Sequence, residues 1–145
     1  MTEPLLRPAD PGDEPRLRAV AEASKAHWGY DAERVGNWAE TLDLSREIWI
    51  AEVAGEIVAW SALLPPSEGI CELDDLWVEP RAIGTGIGTV LFRQAEAHAR
   101  HLGARALRWE ADPNAVGFYE RMGAAVVGTA TSSWSRSLPV MQVEL

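Results

Sequence analysis

Residues 70–103 constrain the fold more than any other stretch of the chain. Ile70 to Val78 is a β-rich run closed by Pro80, and Gly84-Thr85-Gly86-Ile87-Gly88-Thr89 then opens a segment of helical spacing. Ile87, Leu91, Ala95, Ala99 and Leu102 recur on one side of that helix, with Arg93, Glu96 and Arg100 on the other and Gly103 as its stop. Ala104 to Ala111 follows as a strand, in which Leu107 and Trp109 alternate with Arg108 and Glu110. Strand, glycine loop, helix and strand make a crossover connection, which requires a sheet with helices packed on it.

The flanking segments fill in the rest. Leu5-Leu6-Arg7 reads as a short strand closed by Pro8 and Pro11-Gly12. Leu17, Val20, Ala21, Ser24 and Trp28 place one apolar stripe on a helix ending by Gly29, and a weaker helical segment covers about residues 32–42. Ile48 to Val53 and Ile57 to Leu64 form a hairpin about Ala54-Gly55-Glu56, ended by Pro65-Pro66. Asp112-Pro113 supplies an N-cap and a first-turn proline for a short helix ending at Met122-Gly123. Final strands are expected at about 124–129 and 138–143, joined by a polar segment, 131–137, expected to be mobile. The order β-α-α-β-β-β-α-β-α-β-β predicts one mixed α/β domain over residues 1–145, with a central, mostly antiparallel sheet between helices in three layers.

Composition narrows the function. A formal net charge of -9 disfavours nucleic acid and anionic membranes, whose binding needs basic surface, and is compatible with a neutral or cationic small substrate. No apolar run approaches the roughly 20 residues of a membrane span, and Met1-Thr2-Glu3-Pro4 lacks a basic segment followed by an apolar one, so a cytoplasmic location is expected. The single cysteine, Cys71, has no internal disulfide partner, and His27, His98 and His101 are scattered, so no metal site is expected. Of seven tryptophans, Trp49, Trp60 and Trp109 lie on strand-like runs and read first as core.

The glycine loop can set unpaired backbone N–H groups at a helix N-terminus, where an anion comes close. A P-loop would require Gly-Lys-Ser/Thr, yet Lys25 is the only lysine in the chain. This disfavours a nucleotide-dependent kinase or ligase. A dinucleotide fold would put Gly-x-Gly-x-x-Gly after the first strand of a parallel sheet, whereas here Gly84-x-Gly86-x-Gly88 follows the fourth strand. The strand before the loop carries Glu72, Asp74 and Asp75 in an otherwise apolar run, although acidic residues are disfavoured in strands. Alternation puts Glu72, Asp74, Leu76 and Val78 on one face and Cys71, Leu73, Asp75 and Trp77 on the other. Two carboxylates sharing a side of a cleft can hold an ammonium group or take its proton; solvated carboxylates on an open strand explain them equally well. In the segment 114–123, helical spacing assigns Ala115, Phe118 and Met122 to the core and Tyr119 to its edge.

These three elements, in this order, resemble the GCN5-related N-acetyltransferase family over essentially the whole chain. Val78-x-Pro80 with Gly84-Thr85-Gly86-Ile87-Gly88 is similar to the family's acetyl-coenzyme A motif, and Asn114 through Gly123 to its second cofactor motif. One departure stands out: the family usually has Gln or Arg three positions after the proline, where this chain has Ile83, and Arg81 matches only if the register slips by two. The resemblance implies that Leu76, Trp77 and Val78 present backbone groups to the pantetheine arm and that the loop from Ile83 through Thr89 (Gly84, Thr85, Gly86, Ile87, Gly88) holds the pyrophosphate. It also implies that Asn114, with Phe118 beside it in the motif, contacts the pantetheine region and that Tyr119 gives a proton to the departing thiolate.

The implied activity is transfer of an acetyl group from acetyl-coenzyme A to a primary amine of a small, cationic or neutral acceptor by direct attack in a ternary complex. Glu72 or Asp74, directly or through water, would take the ammonium proton, and a backbone N–H, that of Val78, would serve the oxyanion. No covalent enzyme intermediate is needed, so Cys71 reads as a small buried apolar residue. In this family the acceptor cleft is walled by the first helices and the loop between the last strands, here Trp28, Tyr30, Trp38 and Trp134; ordinary packing explains Trp28 as well. Dimers are common among family members, and a homodimer is compatible with the sequence, although no stripe demands one. The alternative is a non-catalytic module of the same fold that senses acyl-coenzyme A, against which Glu72, Asp74 and Tyr119 together argue.

Overall fold

The computed structural model describes residues 3–132 and 135–145. The elements are β1 (Leu5–Pro8), α1 (Glu14–His27), α2 (Ala32–Glu40), β2 (Glu47–Val53), β3 (Glu56–Leu63), β4 (Ile70–Val78), α3 (Ile87–His101), β5 (Ala106–Glu110), α4 (Val116–Arg121), β6 (Ala125–Thr131) and β7 (Ser137–Glu144). They follow in the order the sequence predicts, with α4 starting later than expected, and the seven strands are ordered β1-β2-β3-β4-β5-β7-β6. The chain forms two compact units, residues 1–62 with 75–94 and residues 63–74 with 95–145, so β4 and α3 each contribute to both.

In the first unit, β1 pairs antiparallel with β2, Leu5 opposite Glu52 and Pro8 opposite Trp49. The β2–β3 turn has two residues, Ala54 (φ 52°) and Gly55 (φ 80°), the two positive φ values that let a tight turn follow the twist of its strands. Of the stripe expected on α1, Leu17, Val20, Ala21 and Ser24 are buried, whereas Trp28 falls just past the helix end and is exposed. Leu17, Val20 and Ala21 pack with Ile48, Ile50, Ile57 and Trp60. Trp60 is fully buried, and its indole N–H donates to the Leu17 carbonyl at 2.9 Å, so the ring adds apolar area without an unpaired donor. A second cluster joins Ala51, Val58, Ala59, Ala82, Ile87 and Leu91, with Leu76 and Val78 packed against it. Asp31 caps α2 by accepting from the Arg34 N–H at 3.0 Å, and Arg18 donates to the Ala39 carbonyl at 2.7 Å, a cation at the negative end of that helix.

In the second unit, β4 pairs parallel with β5 through Ile70–Ala106, Cys71–Leu107 and Glu72–Arg108. A parallel pair needs a crossover, and α3 lies between the two strands in the chain. β5 and β6 both pair antiparallel with β7, with a bulge between Val126 and Gly128. The polar segment before β7, expected to be mobile, has a hydrogen-bonded closure at its described ends, where Ser132 donates to the Arg136 carbonyl at 2.8 Å. Trp49 is only half-buried, whereas Trp109 is 4% exposed. Among the described residues, no helix is long and apolar enough to cross a membrane and no group of His, Cys, Asp or Glu is arranged to hold a metal ion.

Candidate functional site

The glycine loop is built by its backbone. Gly84 and Gly86 have φ of 82° and 90°, which side-chain-bearing residues rarely adopt, and a Cβ added at either would meet no atom within 4 Å. The loop is therefore open to solvent at both positions. Around it, Ala82 donates to the Glu79 carbonyl, Thr85 to that of Ala82, and Val90 to that of Gly86, the first bond of α3. The N–H groups of Ile87, Gly88 and Thr89 fall in the first turn of this 15-residue helix, where no residue four positions back can accept from them. Ile87 is 4% exposed, and Leu76 and Val78, partly buried, pack on the same cluster. Ile83 is 39% exposed. Arg81 does not replace the missing polar side chain, because its guanidinium is ion-paired with Glu56 and Glu79, the latter at 2.8 Å.

The acidic residues of β4 divide as alternation predicts. Cys71 and Leu73 are buried, and Glu72 and Asp74 lie exposed on the other face. The cleft burial envisaged for the pair is thus not met on their own strand; Arg108, opposite Glu72 in register, donates two hydrogen bonds to Gln142. Cys71 is fully buried, with its sulfur 3.1 Å from the Leu64 carbonyl, as a small packed residue should be. Asp75 has a different part. Its carboxylate is ion-paired with Arg46 at 2.6 Å, the side chains being 10% and 9% exposed, and it accepts the Trp77 indole N–H at 2.8 Å.

The segment after β5 departs from its helical-wheel reading. Residues 113–115 form a 3-10 turn and α4 begins only at Val116, which rotates the helix: Tyr119 is 8% exposed and buried, while Ala115 and Phe118 are only partly buried. The Tyr119 ring lies 4.8 Å from Trp109 and 5.1 Å from Phe118. Burial, and secondarily the charge of Asp112, push its hydroxyl well above the ordinary tyrosine value, so it stays a neutral phenol able to donate a proton. Asp112 accepts from the backbone N–H and the side-chain amide of Asn114, at 2.8 and 2.9 Å, which fixes the exposed Asn114 side chain.

The aromatic residues assigned to the acceptor wall separate. Trp28 is 43% exposed and meets His27 edge-on, so packing does not account for it. Tyr30 joins Trp38 and Trp77 about the Lys25 ammonium, at 5.1, 4.2 and 5.8 Å. Trp134 lies outside the described residues. Lys25 and the Arg46–Asp75 pair escaped the sequence reading; the signal for Lys25 was a sole lysine in the last turn of a helix running into Trp28-Gly29-Tyr30.

A glycine loop opening α3 after β4, followed by β5, α4 and two closing strands, is the element order of the GNAT fold. The chain belongs to the acetyltransferase (GNAT) family, whose model matches residues 15–124. Acetyltransferases of this family take the acetyl group from acetyl-coenzyme A. The structure is similar to that of a GCN5-related N-acetyltransferase from Rhodopseudomonas palustris, described also as a class-II aminotransferase. The two share 26% identity over 100% of this chain and 98% of that one, with a TM-score of 0.83. It also resembles the PaiA N-acetyltransferase of Thermoplasma acidophilum in complex with coenzyme A (20% identity, 99% and 100% covered, TM-score 0.79) and nourseothricin acetyltransferase (19%, 99% of each, 0.77). The last two likenesses speak to the fold alone. A comparison with curated proteins finds no match.

Proposed function

We propose that the chain is a single-domain N-acetyltransferase that moves an acetyl group from acetyl-coenzyme A to a primary amine of a small acceptor. The observation that carries this reading is the loop at Gly84 and Gly86: two positive φ values, open space where side chains would stand and a helix N-terminus behind them suit a close-lying pyrophosphate. When bound, acetyl-coenzyme A supplies the acetyl group as an activated thioester. Backbone N–H groups of residues 84–89 hold the pyrophosphate with no help from Ile83. Backbone groups of Leu76, Trp77 and Val78 line the pantetheine arm, the Val78 N–H donates to the thioester carbonyl oxygen, and Asn114 and Phe118 contact the same arm. Glu72 or Asp74 takes the proton of the acceptor's ammonium, directly or through water, so that the free amine can attack. Tyr119, held neutral by burial, delivers its hydroxyl proton to the departing sulfur.

The test is thioester consumption across a panel of amines, with coenzyme A binding followed by calorimetry. Turnover that falls at least tenfold in Tyr119→Phe, and in one of Glu72→Gln or Asp74→Asn, with coenzyme A affinity retained, is the expected result. Tight binding with no turnover on any amine would replace this reading with that of an acyl-coenzyme A sensor.

A further inference from the structure

The rings of Tyr30, Trp38 and Trp77 converge on one point, which the Lys25 ammonium occupies at 5.1, 4.2 and 5.8 Å from their centroids. Trp38 and Trp77 meet edge to face, 5.0 Å apart and 71° between planes, so the two indoles form a corner. That corner is anchored from behind. Both indoles pack against the cluster of Leu17, Val20 and Trp60, and the Trp77 N–H is fixed to Asp75, itself paired with Arg46. All three rings and Lys25 are only partly buried, so the cage opens to solvent.

The spacing is wide for its resident. A bare ammonium touching a ring face sits roughly 3.5 Å from it, and a methyl group on the nitrogen adds up to about 1.5 Å. All three distances exceed the first figure, and together they bracket the roughly 5.0 Å that a methylated nitrogen needs. A methylated ammonium would therefore fill the cage more completely than a lysine does, and aromatic faces attract such cations without needing N–H donors. The chain's net charge of -9 favours the approach of a cation further.

We propose that Tyr30, Trp38 and Trp77 form a binding site for a tertiary or quaternary ammonium group, with Lys25 as the exchangeable internal occupant. On the acetyl-transfer reading, on which this step rests, the group belongs to the acceptor, distal to the amine that is acetylated. Lys25 competes with it, lowering affinity and excluding cations too small to fill the cage.

Tetramethylammonium binding, read by tryptophan fluorescence without acetyl-coenzyme A, tests the cage alone. Lys25→Met should bind at least tenfold more tightly than the native chain, and adding Tyr30→Leu or Trp38→Leu should reverse that gain, with circular dichroism checking that each variant is folded. A Lys25→Met chain that binds no better, or a gain that survives both ring replacements, overturns the proposal. The acceptor assignment is tested by kcat/KM for a primary amine carrying a trimethylammonium group against its neutral tert-butyl isostere. At least a fivefold preference for the cation is expected, and equal use overturns that assignment. Absence of turnover on every amine would sink acetyl transfer while leaving the fluorescence result to decide the cage.

Discussion

Replacing Gly86 by alanine separates the two properties that the loop combines. The residue sits at φ 90°, so a Cβ there carries a strain of about 1–2 kcal/mol. No protein atom lies within 4 Å of that Cβ, so overpacking adds nothing. For a chain of 145 residues the strain corresponds to a fall in Tm of roughly 3–8 °C. The same Cβ stands in the open space assigned to the pyrophosphate. A phosphate oxygen pushed off one backbone N–H loses a charge-assisted hydrogen bond of about 1.5–3 kcal/mol, which is roughly a ten- to hundredfold loss of coenzyme A affinity. Calorimetric titration with coenzyme A beside a thermal melt reads both quantities on one sample. Gly36→Ala is the control: Gly36 lies inside α2 without a positive φ, its Cβ would meet Glu22 Oε1 at an ordinary 3.6 Å, and the change should stabilise by up to about 1 kcal/mol without altering binding. If Gly86→Ala loses the expected stability yet binds coenzyme A like the native chain, the pyrophosphate is not held at this loop. If Tm does not fall, the strain argument is wrong.

Three further outcomes follow from the geometry. Because burial raises the Tyr119 hydroxyl above its ordinary value, it stays protonated throughout the neutral and mildly alkaline range, so kcat should show no alkaline fall below about pH 10 attributable to this group; a fall near pH 8 that disappears in Tyr119→Phe would contradict the buried assignment. Asp75→Asn should destabilise the fold by about 3–5 kcal/mol in a denaturant titration by stranding the Arg46 charge, while Arg46→Met with Asp75→Leu should recover most of that loss; a single variant as stable as the native chain would show that the pair is not buried. Arg7 holds Asp13 below the usual carboxylate range, so that contribution is present above about pH 4 and fades as pH falls through the folded value; Asp13→Asn should cost about 1 kcal/mol at neutral pH and show a shallower acid loss in melts taken from pH 6 to 3.

How far the site was legible in the sequence depended on what kind of information each residue carried. Glycine spacing and strand alternation are local, so the loop at 84–88 and the split of Glu72 and Asp74 from Asp75 were both readable from a few neighbouring positions. Partnership across the chain was not. Alternation placed Asp75 opposite its acidic neighbours, but nothing within several residues of it names Arg46, which arrives from the bend just before β2 and turns a disfavoured strand carboxylate into a buried ion pair. Lys25 failed in the same way: on its own helix it is an ordinary last-turn cation, and its role comes from rings on three other segments.

Tyr119 shows a subtler failure, one of phase. The wheel for residues 114–123 supposed a helix from its first residue, but Pro113 and the Asp112 carboxylate, which accepts from Asn114, wind residues 113–115 as a 3-10 turn. Three residues at the tighter 3-10 pitch shift everything after them by about 60° relative to an α-helix. That shift is enough to carry Tyr119 from the rim of the apolar face to the buried side, against Trp109. The burial that raises its hydroxyl, and so keeps a proton there to give, is therefore set by a proline and an aspartate six and seven positions upstream. Pro113→Ala, by letting the α-helix start earlier, should expose Tyr119 and lower its titration midpoint toward the ordinary tyrosine value of about 10, read by ultraviolet absorbance. An unchanged midpoint in a folded variant would show that the core packing of Tyr119, and not the turn before it, fixes the phase.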